Sequence, residues 1–438
     1  MTSVFMRVFL TALLALSVVG LAAVTPEASF AQEAAAQEAA SQPFDPDATT
    51  EAYLASLSGP EKEKSDAYFE GGYWLILWGF LYGIVVAWLL LRNGFSARIR
   101  DWCEAHSKRP FLQTVFYSAA YIALSSVMSF PWAIYTSFYR EHQYDLATQD
   151  FSAWFGDQAI GFIMAIIGAS LFIAVLYAVI RKAGTKWWMW GAGITAGFIA
   201  LLMLITPVFI NPLFNTYTPL EAGPVKNAIL AMAKDQGVEF DDVYMFDASA
   251  QSTRISANVS GLGATKRISL NDNLMNQSTV AEIKAVMGHE LGHYVLGHVL
   301  VMVAMFSAIL GLGYLFVTLA FGWATKRWGA TWGIKGIDDI AGLPLASVLL
   351  SAYMFVMTPV FNTVIRVNES QADAFGLDAA KEPDGFATIA LKLAKYRKLD
   401  PTPLEEFLLF DHPSGRTRVQ MAMDWKAAHQ DETKSEAE

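Results

Sequence analysis

Six long apolar runs constrain the fold of this 438-residue chain more than any other feature. Each run carries almost no charge and is long enough for an α-helix to cross the roughly 30 Å hydrocarbon core of a bilayer. Composition agrees, because apolar residues make up 54% of the chain and charged residues only 16%, against about 25% charged in soluble domains. The sequence therefore predicts six membrane helices, at residues 71–91, 111–134, 160–180, 187–209, 299–323 and 341–364.

The two ends of the chain do not suit a packed core. Residues 1–31 hold Arg7, an apolar run and a small residue at the end, and we interpret them as a secretory signal peptide or, if uncleaved, as an anchor and seventh span. Residues 32–70 are rich in Ala, Gln and Glu, so we predict a disordered linker there. We also predict a disordered tail at residues 426–438.

The apolar runs divide the rest of the chain into membrane and polar parts. We expect a membrane domain of four helices at residues 71–210 and membrane helices five and six at residues 299–364. A catalytic domain then consists of residues 211–298 together with residues 365–425, which follow the sixth span. The predicted fold class is mainly α, a polytopic helical membrane protein with a small α+β domain.

Local signals predict the elements of the first polar part. A helix with Pro at its first position is expected at residues 224–235, and short strands at residues 243–246 and 267–270. A second helix, at residues 279–294, begins at a Ser or Thr cap with Glu282 in its first turn. We expect this helix to continue into the fifth span without a break, so that its side chains lie near the membrane surface.

Three of the seven histidines fall within residues 289–298, in a His-Glu-x-x-His pattern. On a helix, His289 and His293 are four residues apart and direct their ring nitrogens to one ion. Glu290 lies beside that ion, where it accepts a proton from the activated water. Two imidazoles and a carboxylate, with a fourth position open, are a ligand set of Zn²⁺. The sequence therefore predicts one Zn²⁺ per chain.

The third ligand must come from elsewhere, and Glu369 is the candidate. Two spans separate His293 from Glu369, so both emerge on the same side of the membrane. Asp373 lies one helical turn further on, where it can accept a hydrogen bond from a ligand histidine. A solvent-facing carboxylate is the alternative for Asp373.

Four further residues are candidates for the site. His412 is suited to stabilise an oxyanion as a second catalytic residue, and Arg418 to anchor that segment or bind a substrate carboxylate, although both are equally compatible with a plain surface. His298 is expected to pack behind the ligands. Ser256 begins a segment, residues 256–270, that is suited to an edge strand on which an extended substrate is held by backbone hydrogen bonds.

These motifs together resemble the type 1 CAAX prenyl proteases, a family of integral-membrane zinc metallopeptidases. The resemblance lies in residues 289–298, in Glu-x-Gln-Ala-Asp-Ala-Phe at residues 369–375, and in His412-Pro413 with Arg418 six residues after the histidine. It implies membrane helices around a water-filled chamber, a zincin-like catalytic domain, and cleavage of three residues after a prenylated cysteine or of other membrane-associated peptides. Ser256 stands where the family has an Asn, a residue that would hydrogen-bond the substrate or the oxyanion.

The net charge and the positions of the basic residues constrain the binding partners of the protein and its orientation in the membrane. The net charge of −10 excludes a nucleic-acid partner of the usual basic kind, which leaves a peptide or protein substrate, with or without a lipid, and the bilayer. Basic residues concentrate in the loops after the first, third and fifth spans, and such loops face the cytoplasm. The zinc site is therefore expected on the periplasmic or lumenal side of a bacterial inner membrane or an ER-type membrane.

Two alternatives to CAAX processing follow from the sequence. An export signal favours a quality-control protease for membrane or exported peptides, because prenylated tails are cytoplasmic. A reading from another class is a membrane transporter with a structural metal. A structural zinc site, however, has four protein ligands and no use for Glu290.

Overall fold

The computed structural model describes residues 44–261 and 266–430, so the predicted signal peptide and residues 431–438 lie outside the described residues. The described chain is mainly helical, and five of its helical segments are long and apolar enough to cross a membrane. The third segment, residues 151–213, contains two α-helices separated by a 3₁₀ turn at Gly184–Lys186. The six apolar runs thus correspond to six long helices.

The elements are numbered here in chain order. The helices are α1 Pro46–Ser56, α2 Pro60–Leu91, α3 Phe95–His106, α4 Pro110–Ala133, α5 Arg140–Gln143, α6 Phe151–Ala183, α7 Trp187–Ile205, α8 Pro224–Asp235, α9 Asp272–Gln277, α10 Val280–Val295, α11 His298–Trp332, α12 Leu343–Ala380, α13 Pro383–Leu393, α14 Pro403–Leu409 and α15 Gly415–Ala428. The strands are β1 Tyr217–Pro219, β2 Val243–Phe246, β3 Ala257–Ser260 and β4 Arg267–Asn271. A π-helical segment, Ile134–Tyr139, connects α4 to α5.

The prediction of a disordered linker is wrong for residues 44–70. Helix α1 begins at a cap in which Asp45 accepts hydrogen bonds from two backbone N–H groups, and its Leu54 packs against Ala394 and Leu399. Helix α2 begins at Pro60, eleven residues before the apolar run. These segments are ordered because they pack on the catalytic part, which local composition does not reveal. In the same way α15 continues to Ala428, into the predicted tail.

A small sheet covers one side of α10. Its strand order is β1-β2-β4-β3, with β2 parallel to β4 and the other two pairs antiparallel. The sheet and helices α8, α9 and α10 share one apolar core, whose most buried members are Ile229, Val243, Ile268, Leu270, Leu274, Ile283, Met287 and Leu291. Strands β2 and β4 match the sequence prediction, and β3 lies at the edge of the sheet, where an edge strand was expected.

The helix of the His-Glu-x-x-His pattern does not continue into the fifth span. It ends at Val295, and Gly297 has a φ of 67° before α11 begins at His298. Glycine adopts this left-handed conformation at no steric cost, so Gly297 breaks the helix where an uninterrupted one was expected. The break changes the direction of the chain and lets His298 face back towards α10.

The end of the membrane helices opposite to the sheet is tied together by a buried ion pair. Arg100 on α3 contacts Asp339, in the turn between α11 and α12, with Nη1 2.5 Å from Oδ2. The same guanidinium donates to the carbonyl oxygen of Gly333 at 3.0 Å. The basic loops noted in the sequence lie at this end, away from the sheet.

Candidate active site

Helix α10, which carries two of the predicted metal ligands, begins at a capping box. Thr279 accepts a hydrogen bond from the backbone N–H of Glu282, and Glu282 accepts one from the backbone N–H of Thr279 at 2.7 Å. Lys392 on α13 also contacts Glu282, with Nζ 2.7 Å from Oε2. Although burial acts to raise it, these interactions hold the pKa of Glu282 below its usual value. The start of α10 is thereby held against α13.

Helices α10 and α12 approach closely at small residues. A Cβ added at Gly376 would lie 2.7 Å from the backbone nitrogen of His289, and one added at Gly288 would lie 2.8 Å from the carbonyl oxygen of Gly376. Gly292 packs in the same way on Ala372, whose Cα would lie 3.1 Å from an added Cβ. Because the opposing atoms are backbone, no side-chain movement can make room. This approach brings the acidic residues of α12 to the histidines of α10.

The three residues selected from the sequence as metal ligands come together here. Nε2 of His289 lies 3.2 Å from Oε2 of Glu369, and Nε2 of His293 lies 3.4 Å from Oε1. The two Nε2 atoms are 3.0 Å apart. One ligand atom from each residue lies within 4.8 Å of the other two, which is the arrangement that a single ion requires.

The donor set fits a zinc ion on chemical grounds. Nδ1 of His289 lies 2.7 Å from Oδ1 of Asp373, so in the neutral ring the Nδ1–H donates to Asp373 and the Nε2 lone pair faces Glu369 and His293. Although burial acts to lower it, Asp373 and Glu369 raise the pKa of His289 to about 10. The pocket therefore favours a positive charge at this point, and two imidazoles with one carboxylate are the ligands of catalytic zinc.

Neighbouring buried side chains contact the proposed ligands and the residues that orient them. Arg418 donates from Nε to Oδ2 of Asp373 at 2.8 Å, and its Nη2 lies 3.3 Å from Oε2 of Glu369. Nδ1 of His298 lies 3.0 Å from Nδ1 of His293. Asp373 is only 1% exposed and Arg418 7%, so the solvent-facing alternatives for these two residues are wrong.

A cavity of about 170 Å³ lies beside two of the three proposed ligands, His289 and Glu369. Glu290 lines it together with His289, Glu369 and His412. Burial raises the pKa of Glu290, and the neighbouring histidines oppose that effect. A carboxylate that binds its proton more readily than usual is suited to accept a proton and return it in one reaction cycle.

His412 reaches the same cavity from the turn between α14 and α15. Its Nδ1 lies 2.8 Å from Oδ1 of Asp411, and its Nε2 lies 3.3 Å from Oε2 of Glu369. Burial lowers the pKa of His412; Asp411 opposes this effect and Arg397 adds to it. The ring is therefore oriented by Asp411 and presents Nε2 to the cavity.

Two residues of the cavity wall carry no signal in the sequence. Tyr396 and Arg397 line the cavity, and Nη2 of Arg397 lies 3.4 Å from Nε2 of His412. They belong to residues 395–398, Lys-Tyr-Arg-Lys, which have the composition of a surface turn. The packing of α13 against α10 and α15 places this segment beside the proposed metal ligands.

Ser256 lies on the cavity wall immediately before the edge strand. Its backbone N–H donates to Oδ1 of Asn271 at 3.1 Å, and its carbonyl oxygen accepts from the backbone N–H of Asn271 at 2.9 Å. Strand β3 pairs with β4 on one side, and within the described residues no strand pairs with its other side. An extended peptide can add to such an edge.

Comparisons with known proteins agree with this geometry. Residues 219–426 match the model of peptidase family M48, and residues 49–216 match a model described as CAAX prenyl protease N-terminal, five membrane helices. Of the long apolar helices described here, four lie within that second range. The two matches together cover nearly all of the described chain.

Relatives at the level of whole chains point the same way. An uncharacterized metalloprotease of Bacillus subtilis, YhfN, is 31% identical over 81% of this chain and 85% of its own. CAAX prenyl protease 1 of Saccharomyces cerevisiae is 27% identical over 73% of this chain and 74% of its own. The crystal structure of S. mikatae Ste24p has the same fold, with a TM-score of 0.69 at 23% identity over 84% of this chain and 89% of that one.

Proposed function

Because the chain belongs to the type 1 CAAX prenyl proteases of peptidase family M48 and is an integral-membrane metalloprotease, we propose that its metal is one zinc ion held by His289, His293 and Glu369. Glu290 is the general base in this proposal. The observation that carries it is the convergence of the three ligand atoms within 4.8 Å, beside a cavity that Glu290 also lines.

The proposed mechanism assigns a role to each side chain. When bound, zinc supplies Lewis acidity that polarises the scissile carbonyl and acidifies water. Glu290 accepts the water proton and returns it to the leaving amine, a task for which its raised pKa suits it. His412, when protonated at Nε2, donates a hydrogen bond to the carbonyl oxygen as negative charge develops. Asp373 and Arg418 orient His289 and Glu369.

The proposed substrate is an extended peptide that adds to β3. The yeast relative is named CAAX prenyl protease 1, which favours C-terminal processing of CAAX type, and a quality-control role on membrane or exported peptides is the second candidate. The transporter reading is not retained, since both matching families are peptidase families. The proposed orientation has the metal site on the periplasmic or lumenal side, opposite the basic loops.

Zinc content and cleavage by purified protein test the mechanism. We expect one equivalent of zinc in the wild type and in Glu290→Gln, with cleavage of a quenched peptide or a farnesylated CAAX peptide by the wild type only. Glu369→Ala should lose most of its zinc. Turnover by Glu290→Gln would remove Glu290 as the base, and full zinc occupancy in Glu369→Ala would move the third ligand elsewhere. The preferred peptide distinguishes the two substrate classes.

A further inference from the structure

Arg366 is a charged residue close to the candidate active site to which the proposed mechanism assigns no role. It lies on α12, three residues before Glu369, so the two side chains project from neighbouring positions on one face of that helix. Nη1 of Arg366 donates to the carbonyl oxygen of Glu406 at 2.9 Å and to that of Phe410 at 2.5 Å. Phe410 stands two residues before His412. Arg366 therefore connects the helix of the proposed third ligand to the turn that carries His412.

The end of α14 explains why a cation binds there. The last four carbonyl groups of a helix have no partner further along the helix, and they form the negative end of its dipole. Glu406 supplies one of these carbonyls, and Phe410 follows directly after the last helical residue, Leu409. One guanidinium nitrogen carries two hydrogens, so Nη1 of Arg366 can satisfy both carbonyl groups at once.

Glu406 fixes the other side of His412. Its Oε1 accepts a hydrogen bond from the backbone N–H of Ser414 at 2.9 Å, and Ser414 stands two residues after His412. Residues 410–414, the His412 segment, are thus bound at both ends. The first residue is held by Arg366, and the last is held by Glu406, whose own carbonyl group Arg366 also binds.

This arrangement bears on the position of the imidazole. Nε2 of His412 lies 3.3 Å from Oε2 of Glu369. Asp411 orients the ring within the His412 segment, but a neighbour in the same segment does not fix that segment relative to α12. Arg366 does so, because it projects from α12 itself. A donor to an oxyanion must lie about 2.7–3.1 Å from that oxygen, and a displacement of 1 Å can lower the rate about 100-fold.

We propose that Arg366 is a positioning residue for the hydrolysis, which holds the His412 segment to α12 and so sets the distance between His412 and Glu369. Glu406 completes the same connection from the other end of the segment. This inference rests on the proposed function, because it takes His412 as the donor to the oxyanion. Arg366 itself contacts neither substrate nor metal in this proposal.

Kinetics of four zinc-loaded proteins on a quenched peptide test the proposal: the wild type, Arg366→Gln, His412→Ala and the double variant. We expect Arg366→Gln to lower kcat about tenfold or more, with KM and zinc content unchanged. His412→Ala should lower kcat about 100- to 1,000-fold. In the double variant the loss should equal that of His412→Ala alone, because the group that Arg366 positions is already gone.

Two further variants separate positioning from a general loss of structure. Arg416→Gln makes the same substitution two residues after Ser414, at a side chain that pairs with Glu51 and Asp400 instead, and should leave kcat unchanged. Arg366→Lys keeps the charge without the planar fork and should restore part of kcat. Losses of Arg366→Gln and His412→Ala that multiply in the double variant would overturn the proposal.

Glu406→Ala provides a second route if Arg366→Gln does not fold. It releases the N–H of Ser414 and leaves the guanidinium of Arg366 in place. Its loss of kcat should likewise disappear in the background of His412→Ala. A loss from Glu406→Ala that persists undiminished in that background would also overturn the proposal.

Hydrogen exchange measured by mass spectrometry follows the His412 segment without reference to turnover. The amides of residues 410–414 should exchange faster in Arg366→Gln than in the wild type, and at the wild-type rate in Arg416→Gln. Full turnover by His412→Ala would reject the proposed role of His412, yet faster exchange in Arg366→Gln would still show that Arg366 holds the segment. Unchanged exchange in a folded Arg366→Gln would overturn this inference and leave the hydrolytic mechanism standing.

Discussion

At the scale of single residues, Asp373 connects the proposed metal ligands to the rest of the site. Its two oxygens contact Nδ1 of His289 at 2.7 Å and Nε of Arg418 at 2.8 Å, and Arg418 in turn contacts Glu369. Two of the three proposed ligands are therefore oriented through one buried carboxylate. Partners of this kind fix the ring tautomer and increase the basicity of the ligand nitrogen.

Replacing Asp373 by Asn should lower metal affinity about 10- to 100-fold. The amide still offers an oxygen to His289, but its NH₂ group cannot accept from Arg418, so the buried guanidinium loses one of its two carboxylate partners and keeps only Glu369. Competition with a chelator of known affinity measures the change. Asp378→Asn, five residues further along α12 and exposed, is the matched control. An affinity equal to that of the wild type would contradict the proposed role of Asp373.

At the scale of elements, the close approach of α10 and α12 determines the geometry of the site. The histidines lie on one helix and Glu369 and Asp373 on the other, so the separation of the helices sets the distance between the ligands. Gly288 and Gly376 allow that separation to be small. Packed interiors leave no space to absorb an extra carbon at such a position.

Gly376→Ala should destabilise the protein by about 1–3 kcal/mol, as overpacking does, and should lower its zinc content. The sign of the stability change is informative, because alanine in a helix is otherwise favoured over glycine by about 1 kcal/mol. Thermal melting in detergent and metal analysis measure the two effects. Gly161→Ala on α6, where an added Cβ meets nothing within 4 Å, should be neutral or stabilising. A stabilised, zinc-replete Gly376→Ala would disprove this account of the helix contact.

The capping box of α10 gives a pH-dependent prediction. The pKa of Glu282 is lowered in the folded protein, so the contribution of Glu282 to stability is fully present above its unfolded pKa of about 4.3. It is lost as the pH falls through the lower, folded value. Glu282→Gln should therefore lower the free energy of unfolding at pH 7 by about 1 kcal/mol, which is seen as a lower melting temperature. The difference in melting temperature from the wild type should shrink below pH 4.

Melting curves of wild type and Glu282→Gln at pH 7 and below pH 4 provide the measurement. Glu239→Gln, which changes an exposed carboxylate, is the control for the loss of charge alone. A difference between wild type and Glu282→Gln that stays constant or grows on acidification would show that the ion pair with Lys392 is not its source.

At the scale of the whole molecule, the two ends of the membrane helices differ in charge and in the groups that they carry. The sheet, α10 and the proposed metal ligands lie at one end, while the basic loops and the Arg100–Asp339 pair lie at the other. Two contacts tie the catalytic part to the helix ends beside it: Arg254 pairs with Glu141 at 2.6 Å, and Arg267 donates to the carbonyl oxygen of Pro207 at 3.1 Å. These two contacts join the catalytic end to the membrane helices.

Labelling in intact cells or spheroplasts tests the proposed orientation. The single cysteine, Cys103, is buried, so the wild-type protein should not be labelled and serves as the negative control. A membrane-impermeant maleimide should modify Glu239→Cys, at the catalytic end, without permeabilisation, and Lys108→Cys, at the basic end, only after it. The reverse pattern would place the metal site in the cytoplasm and would favour prenylated cytoplasmic substrates.

Features that depend on residues close together in the chain were predictable from the amino-acid sequence. The number of long helices follows from the length of the apolar runs, since each residue of a helix advances 1.5 Å. The pairing of His289 with His293 follows from the helical repeat, and the choice of Glu369 from the parity of the spans. The family is confirmed by the match to peptidase family M48 and by the relatives.

Features that depend on contacts between residues distant in the chain were not predictable in this way. Residues 44–70 look disordered by composition, yet Leu54 is ordered by packing on Leu399. Arg397 looks like part of a surface turn, yet it lies beside His412, fifteen residues further on. In each case the stabilising free energy comes from contacts between segments that are far apart in the chain and share no local sequence pattern. The conformation of such a segment therefore depends on the packing of the whole chain.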